Sequence, residues 1–242
     1  MLPIKKDLKL VKSLHQKKFR KEHGLFLVEG KKPVLEALGS SYQIQGLFST
    51  DELWIAEQGR GVVINAREME QISALSTPSE HLAVVKIPEA KDALWGEQLI
   101  ILDGIADPGN MGTILRTADW FGFNQIICSE DTVEMYNPKV VQSTMGSLFR
   151  MQIQYTNISE IMPELKAQGY RLAGADLSGQ AYMQFDYKGK LALVIGSESH
   201  GLKQHSRELL TDLIHIPGSG NAESLNAGIA TGILLARWFE VI

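Results

Sequence analysis

Three short segments of this sequence carry side chains able to bind and activate a ligand, and each follows an apolar run. The first is Asn110-Met111-Gly112 with Arg116. Asn110 is a good helix cap, and Gly112 and Arg116, four apart, share one helix face. A guanidinium over a missing side chain can grip a phosphate with its planar fork. The spacing taken alone favours a surface ion pair with an acid such as Asp119. The second segment is Gly196-Ser197-Glu198 with Gly201-Leu202. Its glycines let a ligand approach the backbone, and Glu198 can bind a hydroxyl or orient Arg116. His200 invites a reading as a base, but a capping or partly buried histidine is simpler, and nothing supplies metal partners for it. The third runs from Ile216-Pro217 through Gly218-Ser219-Gly220 to Glu223-Ser224-Leu225-Asn226. An apolar strand ends at Pro217. Ser224 and Asn226 stand at the mouth of a helix over 227–239, where free N–H groups can hold a ligand.

The elements that must position these residues alternate. Residues 5–22 read as a basic helix, 24–30 as a strand and turn, and 33–38 as a helix with a well-placed Pro33. Short apolar pieces at 44–49, 53–55 and 61–64, a helix over 66–74 and a strand at 82–87 complete a small α/β unit, residues 1–90. Polar residues 88–97 read as a linker. From residue 98 the texture changes: strands are expected at 99–103, 125–128, 149–155, 170–175 and 191–196, and Leu99–Leu102 and Leu191–Ile195 are apolar without alternation. Helices are expected at 111–122, 139–145, 158–168 and, in a short turn, 197–202. Unalternated apolar strands with intervening helices mean a parallel sheet covered on both faces. In such sheets ligands bind beyond the strand C-termini, where the three segments lie. The strand–Gly-x-Gly–helix order near residue 218 is only part of a dinucleotide-binding turn. Glu223 replaces its third glycine and no further βαβ unit is expected after it, which disfavours an oxidoreductase.

Composition narrows the classes further. The 242 residues contain no run of 18 apolar residues and no N-terminal apolar leader, so neither a membrane span nor a signal peptide is expected. The single cysteine, Cys128 in an apolar setting, excludes an internal disulfide and a cysteine zinc cluster. A cytoplasmic protein without metal fits. Residues 1–40 hold ten Lys/Arg against four Asp/Glu, net +6, which leaves the remainder at −10 within a total of −4. A basic arm on an acidic body suits an anionic polymer as partner, although a solvated helix face has the same composition.

Taken together and in this order, the three segments resemble the SpoU (TrmH) family of RNA methyltransferases, in the SPOUT superfamily, across residues 98–242. Asn137-Pro138-Lys139 with Ser143, Gly146 and Phe149 also looks family-like. Phe26-Leu27-Val28-Glu29-Gly30 resembles the ribosomal-protein-like substrate-binding domain that often precedes it. Gly218 stands where the family often has Met, and Ala227 where it often has Val; these changes bear on pocket shape rather than chemistry.

The resemblance implies a parallel-sheet domain with a C-terminal trefoil knot, a homodimer, and S-adenosylmethionine held largely by backbone at Gly196, Gly201, Ile216 and Leu225. It implies methyl transfer to a ribose 2′-hydroxyl, with Arg116 matching the catalytic arginine. That chemistry needs alignment and a proton acceptor, not a metal. A guanidinium is a poor base in water. Arg116 is therefore expected to bind the substrate phosphate and align the hydroxyl, with the phosphate or a transiently neutral Arg116 taking the proton. Asn110 would fix the ribose or Arg116, and Glu198 would orient Arg116 or Asn110. Ser224 and Asn226 would shape the pocket and place the target nucleotide. Lys17, Lys18, Arg20 and Lys21 are expected to contact RNA phosphates. Ribosomal RNA is favoured as substrate. The alternatives are a transfer RNA enzyme and an inactive RNA-binding or ribosome-assembly protein, the last disfavoured by the intact Asn110, Arg116, Glu198 and Asn226.

Overall fold

The computed structural model describes residues 7–89, 94–198 and 201–242. His200 and the centre of the expected linker lie outside the described residues. The chain divides into two compact units, Met1–Lys91 with Glu134–Phe149, and Asp92–Val133 with Arg150–Ile242.

In the first unit Asp7 caps α1 (Leu8–Ser13), its carboxylate accepting from the Leu10 N–H at 3.0 Å. A second helix, α2 (Lys17–His23), follows. The single basic helix expected here is thus two, and the break is filled by Arg20. That side chain, 2 % exposed, donates through Nη1 to the carbonyls of Leu14 and His15 at 2.9 and 2.8 Å. These are among the acceptors a helix end leaves free. Its Nη2 reaches Glu134 Oε2 at 2.7 Å. Arg20 is therefore not the phosphate contact expected of it, because its donors are spent inside the unit. Lys17, Lys18 and Lys21 of the same helix are exposed.

The unit continues as β1 (Leu25–Glu29), α3 (Lys31–Leu38), β2 (Ile44–Ser49), α4 (Glu52–Gln58), β3 (Val62–Val63), α5 (Ala66–Ile72) and β4 (His81–Lys86). The sheet order is β1-β4-β2-β3, with β4 antiparallel to both neighbours and β3 parallel to β2. Val11, Leu14, Leu27, Phe48, Met69 and Leu82 form its core. Buried Glu29 accepts from Ser73 Oγ and the N–H groups of Ala74 and Ser79 at 2.5, 3.0 and 3.1 Å, fastening the loop after α5 to β1. Gly30 then turns into α3 at φ +103°, a conformation closed to most side chains.

The second unit is built on β5 (Gln98–Asp103), α6 (Pro108–Trp120) and β6 (Gln125–Ser129). The chain next contributes α7 (Pro138–Thr144) to the first unit, where Tyr136 packs on Phe26 with ring centroids 4.5 Å apart. It then adds β7 (Gln152–Thr156), α8 (Ile158–Ala167), β8 (Arg171–Ala181), β9 (Leu191–Gly196), α9 (Gln204–Glu208), β10 (Asp212–His215) and α10 (Ala227–Val241). The sheet order is β10-β8-β9-β5-β6-β7, and every pairing is parallel. From β5 the chain steps outward to β7, then crosses to β8 on the other side. Right-handed crossovers in opposite directions place α6 and α8 on opposite faces, as the fully buried Leu99, Ile100, Ile101 and Leu102 require. Among the described residues no helix is long and apolar enough to cross a membrane.

Three local expectations are corrected. Helix α6 starts at Pro108 and is capped by Asp107, whose carboxylate accepts from the Asn110 N–H at 2.7 Å. Asn110 is thus the third residue of the helix and its side chain is free for other work. No helix covers the described part of 197–202; Ser197 and Gly201 instead form an antiparallel bridge with N–H···O distances of 3.0 and 2.9 Å, and the helix begins at Gln204. Strand β8 runs well past residue 175, because its register with β10 jumps: Leu213 pairs with Gly174 but Ile214 with Gln180. Residues 175–179 therefore bulge from the ladder.

Candidate active site

The bulge, the ends of β9 and β10, and the segment before α10 surround a cavity of about 460 Å³, in the range of small-molecule sites of about 300–1,000 Å³. Gly196, Gly201, Ile216 and Leu225, the four residues expected to hold a cofactor, all line it, and so do Ser224 and Glu198. Ile195, Ile214 and Ala230 add apolar surface. Gly196 and Gly201 meet backbone to backbone: a Cβ on residue 196 would lie 2.2 Å from the Gly201 carbonyl carbon. Bare backbone and apolar side chains suit a flat heterocycle recognised through main-chain groups, so the residues present fit S-adenosylmethionine.

At the cavity mouth, helix packing sets the polar residues. Helix α10 lies on α6 through Gly228 and Gly232, whose missing side chains face Thr113 and Thr117. This brings the N-terminus of α10 beside the first turn of α6. Asn226 caps α10, its Oδ1 accepting from the Gly228 and Ile229 N–H groups at 2.9 and 3.3 Å. With its oxygen so committed, its amide nitrogen must point outward. It donates to Asn110 Oδ1 at 2.7 Å and to Glu198 Oε2 at 3.2 Å. Asn110, its oxygen now occupied, donates to the same Glu198 oxygen at 2.9 Å. The three segments thus meet in one hydrogen-bonded triangle whose polarity is dictated by the backbone of α10.

Glu198 orients Asn110 and Asn226 rather than Arg116. Arg116 lies exposed on α6, and among the described residues its side chain has no partner. Asp119, the acid that the spacing offered it, is held instead by Arg150 at 2.7 Å. Ser224 lines the cavity without joining the triangle. Burial pushes the Cys128 thiol well above its ordinary range, so it is inert. Among the described residues no group of three or more His, Cys, Asp or Glu could hold a metal.

Sequence reading missed Asp176, Ser178 and Arg207, which also line the cavity. Asp176 accepts from the N–H and Oγ of Ser178 at 2.9 and 2.7 Å and pairs with Arg207. Burial alone would raise this carboxyl, but Ser178 and the Arg207 guanidinium outweigh it and hold it below the usual range. The Asp-x-Ser spacing of an Asx turn was the available signal. The partner in α9 was not readable.

A model of the SpoU rRNA Methylase family matches residues 97–236, and a model of the MRM3-like substrate binding domain matches residues 5–83. The chain is 34% identical over 230 residues to the 23S rRNA (guanosine(2553)-2′-O)-methyltransferase RlmP of Bacillus subtilis, covering 93% of this chain and 92% of that protein. Among solved structures it resembles an AdoMet-bound rRNA methyltransferase from Sinorhizobium meliloti, at 31% identity and TM-score 0.86, covering 99% of this chain and 97% of that one. It also resembles the SpoU methyltransferase AviRb from Streptomyces viridochromogenes in complex with AdoMet, at 26% identity and TM-score 0.86, covering 98% of both chains.

Proposed function

The chain belongs to the SpoU rRNA Methylase family, and we propose that it methylates a ribose in ribosomal RNA with the residues gathered at the cavity mouth. It is an S-adenosylmethionine-dependent RNA 2′-O-ribose methyltransferase. The observation that carries the assignment of residues is the Asn226–Asn110–Glu198 triangle, whose Glu198 corner lines the glycine-walled cavity. Bound in that cavity, S-adenosylmethionine supplies an electrophilic methyl group.

The protein's own residues do the rest. Gly196, Gly201, Ile216 and Leu225 present backbone and apolar surface to the cofactor. Asn110 and Asn226, locked by Glu198, offer fixed amide groups to the incoming ribose. Arg116, unpartnered, holds the phosphate next to the target nucleotide and so aligns the 2′-hydroxyl for attack. The hydroxyl proton leaves as the methyl is transferred, to the phosphate oxygen held by Arg116 or to a transiently neutral Arg116. Ser224 borders the space for the target nucleotide.

Further features belong to the same proposal. The C-terminal segment threads a loop as a trefoil knot. In support, β10 lies at the sheet edge while the cap of α10 sits at Glu198, beyond β9, two strands inward. The protein is a homodimer, supported by apolar side chains left exposed on α6 and α10: Trp120 at 83 %, Ile229 and Phe239 each at 55 %. Its location is cytoplasmic, where ribosomal RNA is met.

Lys17, Lys18 and Lys21 supply phosphate contacts. Changing all three to glutamine is expected to weaken RNA binding and lower the slope of log K against log salt by about 2–3. An unchanged slope in filter-binding titrations would remove α2 from the RNA surface. The enzyme itself is tested by labelled methyl transfer to total RNA from cells lacking the protein, resolved by size. Label in a large ribosomal RNA supports the proposal. Label in the small fraction makes transfer RNA the substrate, and cofactor binding without label on any RNA points to an assembly intermediate. Neither binding nor label favours an inactive RNA-binding protein.

A further inference from the structure

Asp103 ends β5, in register with Gly196 across the sheet, and is wholly buried. A buried carboxylate needs compensation. Among the described residues one side chain and its own backbone provide it. The Lys203 N–H donates to Asp103 Oδ2 at 3.2 Å, and Lys203 Nζ lies 3.2 Å from Oδ1. The same ammonium donates to Asp131 Oδ1 at 2.7 Å. Burial would lower the lysine's pKa, but the two carboxylates outweigh it and raise it, which keeps the ammonium charged. Gly104, at φ +75°, leaves room for it: a Cβ there would stand 3.3 Å from Lys203 Cε and 3.4 Å from Asp131 Oδ2. The lysine is two residues beyond Gly201, whose bridge to Ser197 forms the cavity wall against Gly196. Between them Leu202 is anchored in the apolar cluster under the sheet.

We propose that Lys203 is a positioning residue for the cofactor: by fastening the end of the segment after β9 to Asp103 and Asp131, it holds Gly201 and thus one wall of the cavity at its working distance. This rests on the assignment of the cavity to S-adenosylmethionine. A purely stabilising ion pair could sit anywhere on the unit. This one joins the end of the central strand to the segment that the cofactor must lie against.

The test uses the full chain and S-adenosylmethionine itself, with binding read by calorimetry and folding by thermal melts. Lys203→Met leaves Asp103 uncompensated and can fail to fold, so the decisive variant is the pair Asp103→Asn with Lys203→Met, which removes both charges. The pair is expected to melt cooperatively and to bind S-adenosylmethionine about tenfold more weakly. Lys203→Arg, which keeps the cation, is expected to bind within about threefold of the unaltered protein. A folded double variant with unaltered affinity would overturn the proposal, and so would a Lys203→Arg variant as weak as the double variant. Failure of the unaltered protein to bind S-adenosylmethionine would reject the cavity assignment itself, and the positioning role with it.

Discussion

Arg116→Ala is expected to lower methyl transfer by about a hundred- to a thousandfold, with the melting temperature unchanged. The side chain is exposed and has no partner among the described residues, so its removal opens no cavity and strands no buried charge. Surface substitutions of this kind move stability by about 0.5 kcal/mol or less. On the proposed role of Arg116, what is lost is the fork that holds the substrate phosphate. Arg116→Lys keeps the charge but not the two parallel donors, and should fall between the two. Single-turnover assays at saturating cofactor isolate the effect from cofactor binding. Near-normal turnover in a folded Arg116→Ala protein would mean that another group aligns the hydroxyl.

Gly196→Ala is expected to abolish cofactor binding at concentrations that saturate the unaltered protein, and to destabilise the fold by about 3 kcal/mol or more. The new methyl would lie 2.2 Å from the Gly201 carbonyl carbon, 2.3 Å from its oxygen and 2.4 Å from the Leu202 nitrogen. These are backbone atoms, pinned by the Ser197–Gly201 bridge on one side and Lys203 on the other. They cannot rotate away as a side-chain tip would. Gly201→Ala is the informative contrast. Its Cβ meets open space, and only its φ of +64° opposes the change, at about 1–2 kcal/mol. Calorimetric titration and thermal melts of both variants separate the two mechanisms. If Gly196→Ala binds the cofactor normally, the close approach of these two glycines is not what shapes the site.

Much of this was legible in the chain because its signals are local. The wholly apolar run Leu99–Leu102 could only be a strand covered on both faces, and the parallel sheet confirms that. The three polar segments were readable because each lies in the connection or helix that follows a strand. Local signals also misled where two competed. Asn110 and Asp107 are both good caps, and Pro108 decides for Asp107 because a proline at the first helical position needs its partner immediately before it. Gly201 in a left-handed conformation turns the described chain after β9 into a bridge instead of a helix. What stayed hidden depends on partners distant in sequence. Nothing near Arg20 announces Glu134, 114 residues on, and Lys203 finds Asp103 across 100 residues. The bulge at 175–179 is a matter of register between strands, which hydrophobic pattern does not encode.

The polar triangle has a temporal meaning as well. Its corners lie 88 and 116 residues apart along the chain. Contacts of such separation form late, since the intervening chain must be ordered before they are worth making. A nascent chain on the ribosome already displays the lysines of α2 and the guanidinium of Arg116 long before Asn226 has been added. It can therefore touch RNA while still incompetent to modify it. On the proposed roles of these residues, methyl transfer waits for the last corner to dock, and a chain ending before Asn226 is expected to transfer no methyl group.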